Sequence, residues 1–538
     1  MASLCFWVQL TRQDSEMSFY RNILIILLAF WITAFAFIDT KNNTASSPSK
    51  TISLSDSVIT GQQLAGQYCA SCHLFPSPSL LDKKTWINSV LPNMGYRMGI
   101  NPSGKNLYED MLAEEEKLVR DLNVYPRGAS ISRKDWKKIV DYYEKEAPEA
   151  PIPQKPGPAI TNQLSFFKPK EVFVGKKMFP QTTLLKFDKK SSQLYVGDAQ
   201  NTLYILNDKF QQNDSIWIST PASDIDFPDN AAPRLLSVGS LKPSEQKFGS
   251  LESLAKAGKK DESKINIHLL HRPVHFVATD LNMDGKEDVI ISEFGNHSGK
   301  LSWLDDFQPK KRHILKELPG ARKVEITDFN KDGKPDIMAL MTQAREEISI
   351  FYNLGNGEFK EKVVLQFPPV FGSIYFELAD FNKDGFQDIV LTNGDNWDYS
   401  AIKKNYHGIR VYLNDGKDNF KRAWFYPLYG ASKAIARDFD GDGDIDIAAT
   451  SFYSDLDNPE QGFVYLSNEG NLNFKPFSTP QGASGKWMIM EVADYDQDGD
   501  EDIILGSYFH NIGELSVLMF QGITTFPQLL VLENKTKP

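Results

Sequence analysis

A nine-residue aspartate-rich pattern, Asp-x-Asx-x-Asp-Gly-x-x-Asp, recurs five times in the second half of this 538-residue chain. The copies start 48, 52, 58 and 56 residues apart. Each is followed by a short apolar run such as Ile503–Gly506, then by a second strand-like run and an Asn/Gly turn. Units of this length that consist of short strands predict four-stranded blades, which assemble into an all-β propeller.

The spacing also predicts the number of blades. A mean interval of about 53 residues divides the region 165–538 into about seven units, with six or eight also compatible. The first two blades are expected between about residues 171 and 270, where no aspartate loop occurs. Gln193–Gly197 and Thr202–Leu206 in this region still alternate as strands do.

Each aspartate loop offers oxygen ligands for calcium. Side-chain oxygens at positions 1, 3, 5 and 9 can converge with the backbone carbonyl of position 7, and the glycine at position 6 permits a sharp turn. An EF-hand is excluded because strand-like runs flank the loops and position 12 of the best copy is Ala449 instead of glutamate. We expect up to five calcium ions, which brace the blades. The predicted ligands are Asp280, Asn282, Asp284, Asp288, Asp328, Asn330, Asp332, Asp336, Asp380, Asn382, Asp384, Asp388, Asp438, Asp440, Asp442, Asp446, Asp494, Asp496, Asp498 and Asp502.

Over roughly residues 270 to 510 these loops resemble FG-GAP and VCBS-type repeats. The resemblance implies calcium-loop blades of the kind that integrin alpha propellers use. The literal Phe-Gly-Gly-Ala-Pro phrase is absent, which favours the VCBS-type branch.

A second motif, Cys69-Ala-Ser-Cys72-His73, predicts one covalently bound haem c. Two cysteines at this spacing can form thioether bonds to the porphyrin edge, and the adjacent imidazole can become the fifth ligand of the iron. The alternative is a redox-active or disulfide-bonded pair followed by a chance histidine, but such pairs usually open a helix in a βαβ unit. The third cysteine, Cys5, precedes the export signal, so no structural disulfide is expected.

The motif lies in a region of helical patterns, residues 57–148. A helical run, Gly61–Tyr68, leads into it, and an apolar helix around Trp86 and an amphipathic helix capped by Ser132 follow. This arrangement resembles a class I cytochrome c. The whole chain resembles bacterial envelope proteins that join a monohaem cytochrome c domain to VCBS-type repeats, which implies haem binding and electron transfer but no defined substrate.

The sixth ligand of the haem iron is expected to be a methionine. His73 is the only histidine between about residues 57 and 150, so a second histidine ligand cannot come from this region. Met94, in a predicted loop beside Pro92, is the first choice, and Met98 in the same loop is the second. Met111 lies in a charged helical run and is expected to pack. Any of these methionines can equally fill a core, and a five-coordinate iron stays compatible with the sequence.

The N-terminal region predicts export. The uncharged run Ile23–Ile38 is short for a membrane span and long for a signal-peptide core, so residues 1–38 are interpreted as a signal peptide or a signal anchor. A polar linker, 39–56, precedes the cytochrome-like domain, and a proline-rich linker, 149–164, separates it from the propeller. We expect a location in the bacterial cell envelope, on the periplasmic side or the cell surface, with membrane attachment if the signal is not cleaved.

The apolar run is interpreted as the first strand of each blade, and the loops after it carry aromatic, amide and carboxylate side chains. Examples are Glu293–His297, Asn393–Tyr399, Ser451–Tyr453 and Ser507–His510. If the blades are equivalent, these loops gather on one face and suit recognition of a sugar or a peptide, although ordinary loop packing explains them equally well. The loop histidines could ligate a metal only if the fold brings them together; they are His297, His407 and His510.

Three functions are compatible with these features. The favoured one is an exported electron-transfer protein whose propeller docks a redox partner protein or a surface glycan or protein. The alternatives are an oxidoreductase whose propeller holds an active site that passes electrons to the haem, and an adhesion or glycan-binding protein. An electron carrier is favoured over a catalyst because an oxidoreductase of this kind would need a second redox cofactor, and the sequence shows no sign of one. No nucleophile elbow, P-loop or dinucleotide fingerprint is present. The net charge of −11 argues against nucleic-acid binding.

Overall fold

The computed structural model describes residues 59–175, 179–254, 265–343, 345–395, 400–455 and 457–536. The predicted export signal and the polar linker, residues 1–56, lie outside the described residues. Within those ranges no helix combines the length and the apolar character needed to cross a membrane.

Residues 59–147 form a helical module around one apolar core. Thr60 and Ser132 cap its first and last helices by accepting backbone N–H bonds, as the sequence predicts for Ser132. Trp86 and Tyr143 meet at the centre with ring centroids 4.5 Å apart. The helices are α1 (Gly61–Tyr68), α2 (Lys83–Thr85), α3 (Leu91–Arg97), α4 (Ala113–Asp121) and α5 (Arg133–Glu146).

The segment after Trp86 differs from the prediction. A π-helical turn, Trp86–Val90, joins α2 to α3, so residues 83–97 are one continuous helical stretch. Pro92 has no backbone N–H to donate to the preceding turn. The π-helical turn lies directly before it and is the local departure from regular helix geometry that accompanies this proline. The loop expected around Met94 and Met98 is therefore wrong, because Met94 lies in α3 and Met98 caps it. Met111 lies in a bend before α4 and not in a helix.

Residues 167–534 form seven antiparallel four-stranded blades, which confirms the predicted propeller and its blade number. Apolar runs such as Ile503–Leu505 are fully buried because adjacent blades cover both faces of each sheet. The first strand of the chain, β1 (Phe167–Val172), belongs to the last blade. Blades 1 to 3 comprise β2 (Thr182–Asp188), β3 (Gln193–Asp198), β4 (Thr202–Leu206), β5 (Gln212–Trp217), β6 (Ala222–Asp226), β7 (Arg234–Ser237), β8 (Gly249–Ser253), β9 (Asn266–Leu270), β10 (Pro273–Thr279), β11 (Asp288–Glu293), β12 (Lys300–Leu304) and β13 (Arg312–Lys316). Blades 4 to 6 comprise β14 (Ala321–Thr327), β15 (Asp336–Thr342), β16 (Glu346–Gly355), β17 (Glu358–Phe367), β18 (Ser373–Ala379), β19 (Asp388–Asn393), β20 (Gly408–Asn414), β21 (Phe420–Pro427), β22 (Ala431–Arg437), β23 (Asp446–Ser451), β24 (Phe463–Asn468) and β25 (Phe474–Phe477).

Blade 7 closes the ring by combining both ends of the propeller. Its inner strands are β26 (Trp487–Ala493), β27 (Asp502–Ser507) and β28 (Leu529–Asn534), with a helix, α6 (Ile512–Phe520), between the last two. β1 pairs antiparallel with β28 and completes the sheet as its outermost strand, so the two ends of the propeller are joined in one blade. Blade 1 therefore begins at Thr182 and not at about residue 171 as expected, because β1 belongs to the closing blade.

The antiparallel order divides the connections between two faces of the propeller. The aspartate loops join the first and second strands of blades 3 to 7, so all five lie on one face, here called the aspartate face. Connections between second and third strands, and between successive blades, lie on the opposite face, here called the docking face. The apolar run after each aspartate loop is thus the second strand of its blade and not the first.

The helical module packs against the docking face. Arg345 of blade 4 donates a hydrogen bond from Nε to the Cys72 carbonyl, 3.1 Å away. Val370 and Ile402, which flank the first two strands of blade 5, pack against the apolar core of the module. The predicted proline-rich spacer also lies against the propeller, where the Gln154 side chain donates to the His407 carbonyl at 2.6 Å.

A carboxylate from the module anchors it to blade 2. Glu115 of α4 is buried, and its Oε1 accepts hydrogen bonds from Ser244 Oγ and from the Glu245 backbone N–H, both at 2.8 Å. Glu245 in turn accepts the backbone N–H groups of His297 and Ser298 in blade 3. The module, blade 2 and blade 3 therefore share one hydrogen-bond network.

Replacing Glu115 with alanine is expected to lower the free energy of unfolding by about 2 kcal/mol, because it leaves buried donors of blade 2 without an acceptor. Hydrogen exchange should accelerate in α4 and at Glu245, which mass spectrometry can measure. Glu114→Ala is the matched control, since Glu114 is an exposed neighbour on the same helix. Equal exchange in the two variants would show that Glu115 does not anchor the module.

Candidate functional site

The Cys69 and Cys72 thiols lie at the turn that ends α1. Both are free, with Cys69 half-buried and Cys72 exposed. Burial raises the pKa of Cys69 to about 11, so its thiol stays protonated at neutral pH. Redox-active Cys-x-x-Cys pairs need the opposite property, a thiolate of low pKa. The local environment therefore argues against the redox-pair alternative.

His73 is held in the form that a metal requires. Its Nδ1 lies 3.0 Å from the Leu74 carbonyl oxygen. Because a carbonyl can only accept, Nδ1 carries the hydrogen and Nε2 keeps a free lone pair. Burial lowers the pKa of the His73 ring, which keeps the imidazole neutral. Both properties fit an axial ligand of haem iron.

Met94 and Met98 lie one helical turn apart on α3, and both pack partly buried against the core that also contacts Tyr68 and Cys69. Cys69, Met94 and Met98 thus border one apolar core, and Cys72 and His73 continue the turn that begins at Cys69. These residues fit a covalent haem c held by Cys69 and Cys72. Met94 stays the predicted sixth ligand, with Met98 as second choice.

The aspartate loops share one backbone geometry. In three of them, the position-1 carboxylate accepts the backbone N–H groups of positions 5 and 6; in the first copy, Asp280 accepts from Asp284 at 3.1 Å and from Gly285 at 2.8 Å. All five position-6 glycines have a positive φ, between 83° and 95°. The sequence-based role of this glycine is therefore confirmed.

The position-9 aspartates are fully buried at the start of each second strand. Asp388 accepts the Phe381 N–H at 3.0 Å and the Asn414 N–H at 2.8 Å. Burial raises the pKa of Asp388 to about 6 and that of Asp446 and Asp502 to about 7. A bound cation would offset the cost of burying these carboxylates.

Two loops bring three carboxylates together. The ligand atoms of Asp438, Asp440 and Asp442 lie within 4.8 Å of one another, as do those of Asp494, Asp496 and Asp502. In the other three loops position 3 is an asparagine, whose amide oxygen can also bind calcium. In each of these loops that oxygen now accepts the backbone N–H of position 5. The loops therefore fit calcium by ligand type.

A recurrent asparagine at the end of the third strand was missed from the sequence. Its N–H binds the position-9 carboxylate of its own blade, as Asn534 does to Asp502 at 2.7 Å. The Asn534 side chain also donates to the Phe439 carbonyl in the aspartate loop of the preceding blade, at 2.8 Å. Asn353 makes the same contact to Leu281, so two of these asparagines tie adjacent aspartate loops together, and the repetition of the asparagine before the Asn/Gly turns was the available signal. The equivalent residues are Asn353, Asn414, Asn468 and Asn534.

The aromatic loops follow the second strands of their blades, so their described residues share the docking face; residues 396–399 of the loop Asn393–Tyr399 lie outside the described residues. His297 contacts the helical module through Arg97 at 3.3 Å and Tyr125 at 3.4 Å, so this loop serves an internal contact. Phe452 lies 6.0 Å from Tyr508 and 5.3 Å from His510, between ring centroids, and joins blades 6 and 7. We call these three residues the aromatic cluster.

The loop histidines do not form a metal centre. Within the described ranges, groups of three potential ligand side chains occur only in the aspartate loops of blades 6 and 7. His407 is buried, and His510 lies 3.3 Å from the Glu514 carboxylate through Nδ1. The fold therefore separates the histidines into unrelated contacts.

A comparison with family models identifies the repeats of the propeller. The FG-GAP-like repeat family matches residues 280–339, 328–391 and 438–505. Integrin alpha-4 of Xenopus laevis is 27% identical over 174 residues, which cover 28% of this chain and 17% of the integrin. The chain therefore spans under a fifth of that relative's length. Among solved structures, the Neurospora crassa Pan2 WD40 domain aligns with a TM-score of 0.39 and 11% identity over 67% of this chain and 90% of its own. The Cps50 (Swd1) β-propeller domain of Myceliophteria thermophila aligns with a TM-score of 0.39 and 11% identity over 68% and 99%. This chain is thus a seven-bladed propeller that contains FG-GAP-like repeats.

Proposed function

We propose that this chain is an exported c-type haem electron-transfer protein of the bacterial cell envelope, whose calcium-braced propeller binds a redox partner or a surface ligand. The observation that carries the proposal is the orientation of His73, whose Nδ1–H is bound to the Leu74 carbonyl next to two free thiols. Haem c, when bound, supplies a one-electron redox centre.

Different residues of the chain would bind the haem, ligate its iron and position the helical module. Cys69 and Cys72 would fix the porphyrin edge, and His73 would present Nε2 to the iron. Buried side chains such as Trp86 and Leu91 keep water from the module core. Arg345 holds the backbone of the motif against blade 4 and so fixes the orientation of the module on the propeller.

The propeller supports a binding role. FG-GAP-like repeats and similarity to an integrin alpha chain favour recognition of a protein or another surface ligand. The module takes the docking face of blades 2 to 5, whereas the aromatic cluster lies on blades 6 and 7. We propose the aromatic cluster as the contact for the partner, because Tyr508 and His510 are half-buried beside the buried ring of Phe452, and half-buried aromatic rings favour binding surfaces.

The proposal is tested by an optical spectrum of protein exported with c-type haem maturation. A sharp low-spin c-type band in the reduced form and a far-red charge-transfer band in the oxidised form are expected, because methionine ligation produces both. Absence of covalent haem would overturn the proposal and leave a binding propeller. A high-spin spectrum would contradict electron transfer in favour of catalysis or sensing.

Substituting the two candidate ligands separately assigns the sixth position. Met94→Leu is expected to abolish the far-red band, since leucine preserves the volume but removes the thioether, whereas Met98→Leu should retain the band. Met111→Leu is the control outside the module core. Loss of the band only in Met98→Leu would show that Met94 is not the ligand.

A further inference from the structure

The first strand of every blade lines the axis of the propeller. Each of these strands has a register shift directly after its first residue, so the blades present equivalent positions to the axis. In blade 5, Phe376 is fully buried in the core, whereas its neighbours Tyr375 and Glu377 are only half-buried. Lys186 and Glu491, on the first strands of the neighbouring blades 1 and 7, lie 3.9 Å apart, so side chains of adjacent blades meet at the axis.

Most cations along the axis have a carboxylate partner. Lys323 pairs with Glu325, and Arg437 pairs with Glu377 at 3.0 Å, in addition to the pair between blades 1 and 7. Lys433 of blade 6 is different. Its Nζ donates to the Met490 carbonyl at 2.7 Å, and within the described part of the chain no carboxylate oxygen lies within 4.0 Å of it. Lys433 therefore keeps a positive charge and two donors without an anionic partner.

A phenol faces the same space. The Tyr375 ring centre lies 5.1 Å from Lys433 Nζ and 4.8 Å from Lys323 Nζ. Its hydroxyl has no hydrogen-bond partner among the described residues. Burial raises the pKa of Tyr375 well above its usual value, so the hydroxyl keeps its proton and can donate a hydrogen bond. Burial also lowers the pKa of Lys433 to about 8, although the charges of Glu491 and Glu377 act on it in the opposite direction.

We propose that the propeller axis holds a binding site for a small carboxylate anion between Lys433 and Tyr375. A carboxylate has two oxygens, which match the free donors of the ammonium and the phenol, and its charge balances Lys433. Ile489, at the position of blade 7 equivalent to Lys433 and Tyr375, is apolar and half-buried. The site lies near the start of the first strands, on the side of the docking face, and is independent of haem.

Acetate is the probe, because it is the smallest carboxylate with an apolar group, and saturation-transfer NMR on the full chain measures its binding. Lys433→Met is expected to weaken acetate binding at least tenfold, and Tyr375→Phe several-fold, because each removes one donor. Lys360→Met is the matched control on the exposed outer strand of blade 4 and should bind acetate as the original chain does.

A conservative variant and a folding control distinguish loss of the binding site from loss of the folded protein. Lys433→Arg keeps the charge and should retain most of the affinity, and thermal melting checks that each variant folds. Absence of acetate binding, or equal affinity in a folded Lys433→Met variant, would overturn the proposal. Displacement of acetate by equimolar sulfate would overturn the assignment to carboxylates, since a general anion site would then be present.

Discussion

Replacing Cys69 and Cys72 together with alanine is expected to abolish covalent haem in the exported protein. The thioether bonds need both sulfur atoms, and in this structure both thiols are free at the end of α1. The measurement is the haem-associated signal that remains with the denatured polypeptide after electrophoresis, compared with the amount of protein. The expected signal in the double variant is at background.

The third cysteine supplies the control for this experiment. Cys5→Ala removes a thiol from the same chain but leaves the motif intact, so its haem content should equal that of the original protein. A double variant that keeps covalent haem would contradict the role of the motif. Calcium-dependent melting reports on the propeller and not on the helical module. It therefore distinguishes a variant that has lost only haem from one whose propeller no longer folds.

Removing calcium is expected to lower the melting temperature of the propeller by about 10 °C. At a calcium concentration one hundred times Kd, each site stabilises the folded state by about 2.7 kcal/mol, and several sites act on one cooperative ring. Without the ions, the clustered carboxylates of blades 6 and 7 repel one another. Calorimetry with and without a chelator measures the shift, and calcium but not magnesium should restore the original value.

A pair of substitutions in one loop separates ligands from general charge. Asp440→Ala removes a predicted ligand whose carboxylate lies with Asp438 and Asp442, so bound calcium should fall by one ion per chain and the calcium-dependent shift should shrink. Asp444→Ala removes a carboxylate that pairs outward with Lys383 at 2.7 Å, so calcium content should not change. Equal calcium content in the two variants would contradict ligation by the loop.

The repeat was sufficient to predict the propeller because it encodes local chemistry. A glycine with positive φ and alternating carboxylates fix each loop independently of the rest of the chain, as Gly285 and Asp280 illustrate. The interval between loops then gives the blade length and, with the length of the region, the number of blades. The strand that closes the ring was not predictable in this way, because β1 pairs with β28 from the far end of the chain.

The candidate haem-site residues also differ in how well the sequence predicts them. The haem motif and its neutral histidine follow from contiguous residues, so Cys69, Cys72 and His73 could be named at once. The prediction of a loop around Met94 failed because a proline normally ends a helix, whereas here a π-helical turn, Trp86–Val90, lets the helix continue through Pro92. Packing of this helix against the module core outweighed the local preference.

By itself, the sequence determined the features whose physics is local, namely the aspartate loops and the length of the blades, and it predicted a haem-binding motif. Only the tertiary structure decided which residues meet across the ring. It placed Glu115 on blade 2, His297 under the helical module, and the unpaired ammonium of Lys433 beside Tyr375. These contacts join residues that lie far apart in sequence, and they depend on the closure of seven sheets around one axis, which no single segment of the chain encodes.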